Sequence, residues 1–317
     1  MTNMEKIRLC GEIVDQKESR RPLCRLEYAP EPFAFTGSHL GGTPYLPHDA
    51  SYPMGADGQP LWLCAQIDFS QMPPLPDFPT QGLLQIYLSD WRYDGGFGLC
   101  SGDGLTQDQW RICYWPEIDG TVTEAACRAK MPIPWEEASI ENMGRPLNQL
   151  DKQSIQYAKK YGKKFPGAKD LSLWRTPDEP LALTFLPAEA EGVSYTDFRF
   201  EKAFAAALAA RLPDADPEDL MPYELEGETP AEREALRAIY GKIALGGCKI
   251  GGYPEFAQDD PRAYGEDRTA WEILLLQLSD DGGADLQLNG GTLNFLIRPQ
   301  DLRARDFSQV LAQWACT

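Results

Sequence analysis

Histidine is the scarcest chemically useful residue in the chain: only His39 and His48 are present among 317 residues. Nine positions apart, with no acid directly after His39, they cannot form the HExxH zinc motif. Other familiar sites are missing too. Gly162-Lys163-Lys164 lacks the upstream glycine and the hydroxyl of a phosphate-binding loop, and Gly96-Phe97-Gly98 lacks a third glycine. In Gly37-Ser38-His39-Leu40-Gly41 the serine stands one place too early for a nucleophile elbow. The eight cysteines include no CxxC pair, which excludes a zinc knuckle or a thioredoxin-like couple. Asp280, Asp281 and Asp285 lie among glycines but lack the D-x-D-x-D-G spacing of a calcium loop. No metal site and no cofactor are therefore expected.

Long apolar runs are also absent. Ala203–Leu212 and Ile273–Leu278 fall well short of the ~18 residues that cross a bilayer. The start, Met1 to Gln16, has no apolar core of a secretory signal. A cytoplasmic protein with reduced thiols and no membrane contact is the expectation. Cations are in deficit as well: thirty basic against forty-eight acidic side chains give a formal charge of −18, unsuited to nucleic acid or an anionic lipid surface.

What the sequence does contain is self-similarity. Ser38-His39-Leu40-Gly41-Gly42-Thr43-Pro44 aligns with Cys248-Lys249-Ile250-Gly251-Gly252-Tyr253-Pro254 at an offset of 210. Leu61–Ile67 aligns with Trp271–Leu278, its Gln66 matching Gln277 at 211, and Gly82–Leu88 aligns with Gly291–Ile297 at 209. In each copy a Gly-Gly-x-Pro turn feeds two short apolar runs, the pattern of antiparallel strands. Period-two spacing puts Trp62, Cys64 and Gln66 on one face, and Trp271, Ile273, Leu275 and Gln277 likewise.

The strings SHLGGTPYLP, AQID, GLLQIYL, KIGGYPEFAQDDPR, LLLQLSD and GGTLNFLIRPQDL resemble the YwqG-like family of bacterial cytoplasmic proteins of unknown function. The resemblance covers roughly residues 23–89 and 229–314 and implies an α+β domain with no catalytic residue to carry over. The expected architecture is α+β: two pseudo-symmetric, mainly antiparallel β repeats with flanking helices and a long insertion. Repeat one spans about 23–89, the insertion about 90–228 and repeat two about 229–314, all one duplicated domain.

Within the insertion, Arg111–Trp115 and Thr121–Arg128 read as a hairpin across Asp119-Gly120. Asp151 to Arg175 is basic, and its lysines, from Lys152 to Lys169, allow one helix as far as Pro166. Ala203–Leu212 is a helix, Asp216-Pro217 starts a helical turn, and Thr229-Pro230-Ala231-Glu232 is a capping box for a helix ending near Gly246-Gly247. Gln71–Pro79, rich in proline, is a stiff connection between the first copy's strands. Five tryptophans, Trp91, Trp110, Trp115, Trp135 and Trp174, crowd the insertion.

Candidate functional residues follow from the aligned turns. His39, Gln66, Lys249, Gln258, Arg262 and Gln277 are ligand-binding candidates, with the glutamines on the floor of a cleft between repeats. The plainer reading is that a strand-borne glutamine satisfies its amide on the backbone of the Gly-Gly-x-Pro turn. The leading functional reading is a non-enzymatic binding or interaction module for a protein partner or a small polar ligand. Toxin neutralisation is an analogy only, and the oligomeric state is open. The alternative is an enzyme using His48, Asp49, Asp259 and Asp260 as acid–base groups.

Overall fold

The computed structural model describes residues 1–15, 20–28, 34–89, 96–99, 103–132, 180–264, 266–280, 286, 288 and 290–316. The expected lysine-rich helix, Trp91, Trp135, Trp174, Asp281 and Asp285 lie outside the described residues. The protein mixes helix with antiparallel strand pairing and divides into two compact units. The first comprises Met1–Glu27, Pro73–Phe78 and Phe185–Thr317; the second comprises Tyr28–Met72 and Pro79–Thr184. The proline-rich connection and the segment after 185 thus pack with the unit that carries the second Gly-Gly turn.

In the second unit, β2 (His39–Leu40), β3 (Trp62–Asp68), β4 (Leu83–Leu88), β5 (Trp110–Trp115) and β6 (Leu181–Phe185) form an antiparallel sheet in the order β6-β2-β3-β4-β5. All six residues of β4 are buried, as an unbroken apolar run with one glutamine predicts for a central strand. The expected hairpin partner of β5 is not a strand. Glu124–Arg128 forms a short helix, α2, because the Thr123 hydroxyl accepts from Ala126 N and caps a run that includes two alanines. This helix buries Cys127 in a cluster with Tyr45, Leu46, Tyr52 and Leu83.

In the first unit, β1 (Arg21–Tyr28) pairs with both β7 (Glu189–Glu191) and β8 (Lys249–Gly251). From β8 the sheet continues through β9 (Ile273–Ser279) and β10 (Thr292–Ile297) to β11 (Val310–Ala315). Three helices build its second core: α1 (Asn3–Val14), α3 (Phe200–Ala209) and α4 (Pro230–Ile243). They bury Ile7, Cys10 and Ile13, then Phe200, Phe204 and Leu208, then Leu236, Ile239 and Ile243, each set at helical spacing. Each such side chain contributes about 1.5–3 kcal/mol of apolar burial. Thr229 and Glu232 close the expected capping box, and Thr2 with Glu5 closes another. The Asp216 carboxylate accepts from Glu218 N and opens the expected turn, Glu218–Leu220. A fifth helix, α5 (Pro299–Ala304), carries Arg303, whose guanidinium lies 3.0 Å from Asp77 of the proline-rich segment. No helix of the described residues is long and apolar enough to cross a membrane.

The strand-face expectation needs correction. On β3, Leu63 pairs with Tyr87 and Ala65 with Ile86, so Cys64 is an extra, bulged residue. On β9, Leu274 pairs with Leu296 and Leu276 with Phe295, which makes Leu275 the bulged residue. A bulge reverses the alternation. Trp62 and Gln66 therefore face opposite sides, as do Ile273 and Gln277, while Trp271 precedes the strand altogether.

Candidate functional site

Directly opposed residues on neighbouring strands share a face, so register identifies what converges. In the second unit His39 opposes Gln66, which opposes Gln85, which opposes Cys113. In the first, Arg25 opposes Lys249, Lys249 opposes Gln277, Gln277 opposes Asn294 and Asn294 opposes Gln313. A polar row thus crosses each sheet, and its central members are fully buried.

Gln66 is bonded on both sides of the turn. Its Nε2 donates to Phe35 O and Gly37 O, both at 2.9 Å, and its Oε1 accepts from Tyr45 N at 3.0 Å and from Gln85 Nε2 at 2.7 Å. Gln277 makes corresponding bonds: Nε2 donates to Leu245 O (3.3 Å) and Gly247 O (2.9 Å), and Oε1 accepts from Glu255 N (2.7 Å). Between those anchor points the paired glycines take positive φ, 63° and 78° at Gly41 and Gly42, 77° and 70° at Gly251 and Gly252. The glutamine holds together a loop that only glycine lets turn so tightly.

His39 and Lys249, equivalent in the alignment, have different surroundings. His39 is buried with Nδ1 2.7 Å from Gly41 O, and burial pulls its pKa down to about 4, so its ring is neutral near pH 7. Lys249 is buried with Nζ 2.6 Å from Glu191 Oε1, an oxygen that also accepts from Tyr253 N. Burial lowers the pKa of Lys249 and raises that of Glu191, against the attraction of each for the other. Arg25 Nη2 lies 3.4 Å from the other Glu191 oxygen. Nothing in the spacing around Glu191 marked it as the partner of this lysine.

Arg262 is the centre of a second buried ionic cluster. It donates from Nε and Nη2 to Asp260, from Nη2 to Asp197 at 2.8 Å and from Nη1 to Trp271 O, and its guanidinium lies over the rings of Phe198 and Phe256. Asp260 also accepts from Phe198 N, and Asp197 from Arg199. Burial works against the charged form of Asp197, but the Arg199 hydrogen bond and the Arg262 and Arg199 charges outweigh it and hold its pKa below the ordinary carboxyl value. Gln258 is exposed and donates to Cys316 O, and Asp259 beside it is exposed.

His48 and Asp49 are exposed in the second unit, whereas Asp259 and Asp260 belong to the first. The His48 Nε2 sits 3.1 Å from Thr121 Oγ1 and 3.8 Å from an Asp119 carboxylate oxygen. Asp280 accepts from Leu288 N and Gly290 N. Among the described residues no group of three or more His, Cys, Asp or Glu is arranged to hold a metal ion.

One concavity was not foreseen. In the first unit a groove of about 380 Å³ is lined by Ile13, Val14, Val193, Phe200, Phe204 and Ile243, together with alanines of α3. The helix expected over Ala203–Leu212 runs over Phe200–Ala209 and buries Phe200, Phe204 and Leu208, and the open side arises from the small alanines, whose periodicity says little. A family model described as a domain of unknown function, DUF1963, matches residues 38–316. No curated protein matches the chain.

Proposed function

Given that the chain belongs to the DUF1963 family, of unknown function, we propose that it is a cytoplasmic, non-enzymatic binding module built from one duplicated antiparallel unit. The duplication is supported by the polar rows, the glutamine clamps, the paired positive-φ glycines and the bulges at Cys64 and Leu275, which recur at corresponding positions. Binding is favoured over catalysis because the motif residues Gln66, Gln277, Asp260 and Arg262 have their polar atoms bonded within their own unit.

The observation that carries the reading is the apolar groove of the first unit. Its volume is that of a ligand site, and its lining suits apolar side chains. The same unit holds thirty acidic and eighteen basic residues, counted over its sequence. The occupant is therefore a basic, amphipathic segment of a protein partner, with apolar side chains in the groove and cations facing the acidic surroundings. A basic toxin is one such partner by analogy. A fluorescein-labelled, lysine-rich amphipathic helical peptide, titrated with the full chain and followed by anisotropy, should bind with salt-sensitive affinity. Ala207→Glu, at the groove, should abolish binding; equal binding by that variant overturns the reading.

The enzymatic alternative, with His48, Asp49, Asp259 and Asp260, draws support from the exposed imidazole beside Asp119. A hydrolytic activity lost in His48→Ala and retained in Ala207→Glu would favour it.

A further inference from the structure

The two polar rows differ at several places, and the difference at Asn294 leaves buried acceptors without protein donors. In the second unit the Gln85 Oε1 accepts from Trp115 Nε1 at 2.7 Å and from Tyr87 OH at 3.0 Å. In the first unit the corresponding amide is Asn294, one methylene shorter, and the residues at the Trp115 and Tyr87 positions are Ala315 and Leu296. Both donors are lost. Asn294 is fully buried and its Nδ2 donates to Glu255 O at 2.8 Å, which fixes the amide's orientation, yet its Oδ1 has no partner. Directly opposite on β11, Gln313 donates from Nε2 to Asp259 O at 3.2 Å, and its buried Oε1 also lacks one.

Two buried amide oxygens on opposed residues, with Cβ atoms ~5 Å apart by strand geometry, call for a shared donor. The electrostatics favour a positive one. Glu255, whose carbonyl orients Asn294, carries a charge felt at Lys249, and Asp259 is exposed next to the Gln313 contact. The geometry points to a site for a primary ammonium group, the head of a small aliphatic amine, bound between Asn294 Oδ1 and Gln313 Oε1. Three N–H donors on one compact cation satisfy both oxygens and leave one for a neighbouring carboxylate or carbonyl. The site lies on the sheet of the first unit and owes nothing to the helical groove.

The test uses the full chain in differential scanning fluorimetry with methylammonium chloride. Tetramethylammonium chloride, with the same charge and no N–H, is the control. Methylammonium should raise the unfolding midpoint and tetramethylammonium should not. Asn294→Leu should abolish the response, and Gln313→Met, at a half-buried position of the last strand, should weaken apparent affinity about tenfold. Should Asn294→Leu fail to fold, Gln313→Met gives the same readout. The proposal is overturned if the two cations act alike, if potassium or calcium stabilises in place of methylammonium, or if the variants keep the full response. It also fails if Asn294→Leu is more stable than the parent and no amine acts, the result expected of a site satisfied by water alone. Peptide binding at the groove should be untouched by both variants, which separates failure here from failure of the groove reading.

Discussion

Gln66→Leu tests the glutamine clamp most directly, because leucine keeps much of the side-chain volume and removes every hydrogen bond. Four protein groups lose a partner: Tyr45 N, Phe35 O, Gly37 O and Gln85 Nε2. Gln85 Nε2 keeps Tyr45 O at 2.7 Å, and the Phe35 bond is only partly buried, so water can replace it. That leaves Tyr45 N and Gly37 O as buried, unsatisfied groups at roughly 1–3 kcal/mol each. Leucine's own burial returns part of the loss, and the net expectation is destabilisation by about 3 kcal/mol. Against a typical total of about 5–15 kcal/mol this is a large fraction, easily measured by urea unfolding. Hydrogen exchange should show the loss first in the 37–46 loop, while the 245–256 loop keeps its protection behind Gln277. A change below about 0.5 kcal/mol, the ordinary scale of an inconsequential substitution, would refute the claim that this glutamine holds the turn.

Three further outcomes follow from neighbouring groups. Arg262→Met should destabilise by about 3–5 kcal/mol, because Asp260 is left as a buried carboxylate without its cation and Asp197 keeps only Arg199; equilibrium unfolding would show it, and retention of stability would contradict the ionic role. His39 has a folded pKa of about 4 against an ordinary value near 6.5, so the unfolded chain binds the extra proton between those limits. Stability should therefore be complete above pH ~6.5 and fall by roughly 3 kcal/mol on acidification towards pH ~4, a dependence that His39→Gln removes. Gly252→Ala should cost much more than Gly58→Ala in thermal unfolding. Both glycines have φ near +70° to +78°, but a Cβ at Gly252 would stand 2.2 Å from the Glu191 carboxylate while one at Gly58 meets nothing within 4 Å.

The parts of this architecture that were legible in the sequence are those encoded locally. A Gly-Gly-x-Pro string states a turn through φ alone, and Thr229 with Glu232 states a helix start through one reciprocal pair of bonds. The glutamines could also be read as clamps, since a buried amide must bond to the backbone that passes nearest; that it grips carbonyls before the turn and an amide after it needed coordinates. What stayed hidden depends on long-range pairing. Cys64 and Leu275 look like ordinary strand residues, because a bulge changes hydrogen-bond register and leaves apolar composition as it was. Glu191 and Asp197 lie about sixty residues from Lys249 and Arg262, the fully buried cations they meet, with only their own acidity to mark them for those partners.

Within the proposed duplication, Asn294 is the position at which the second polar row departs most from the first. Where Trp115 and Tyr87 donate to Gln85, the amide oxygen is satisfied within its own unit. Changing that pair to Ala315 and Leu296 while keeping a buried amide would ordinarily be destabilising, since an apolar replacement of Asn294 removes the unpaired oxygen at once. Retaining the amide with Gln313 opposite it is a cost that makes physical sense when a donor from outside the chain occupies the place the indole N–H holds in the other unit.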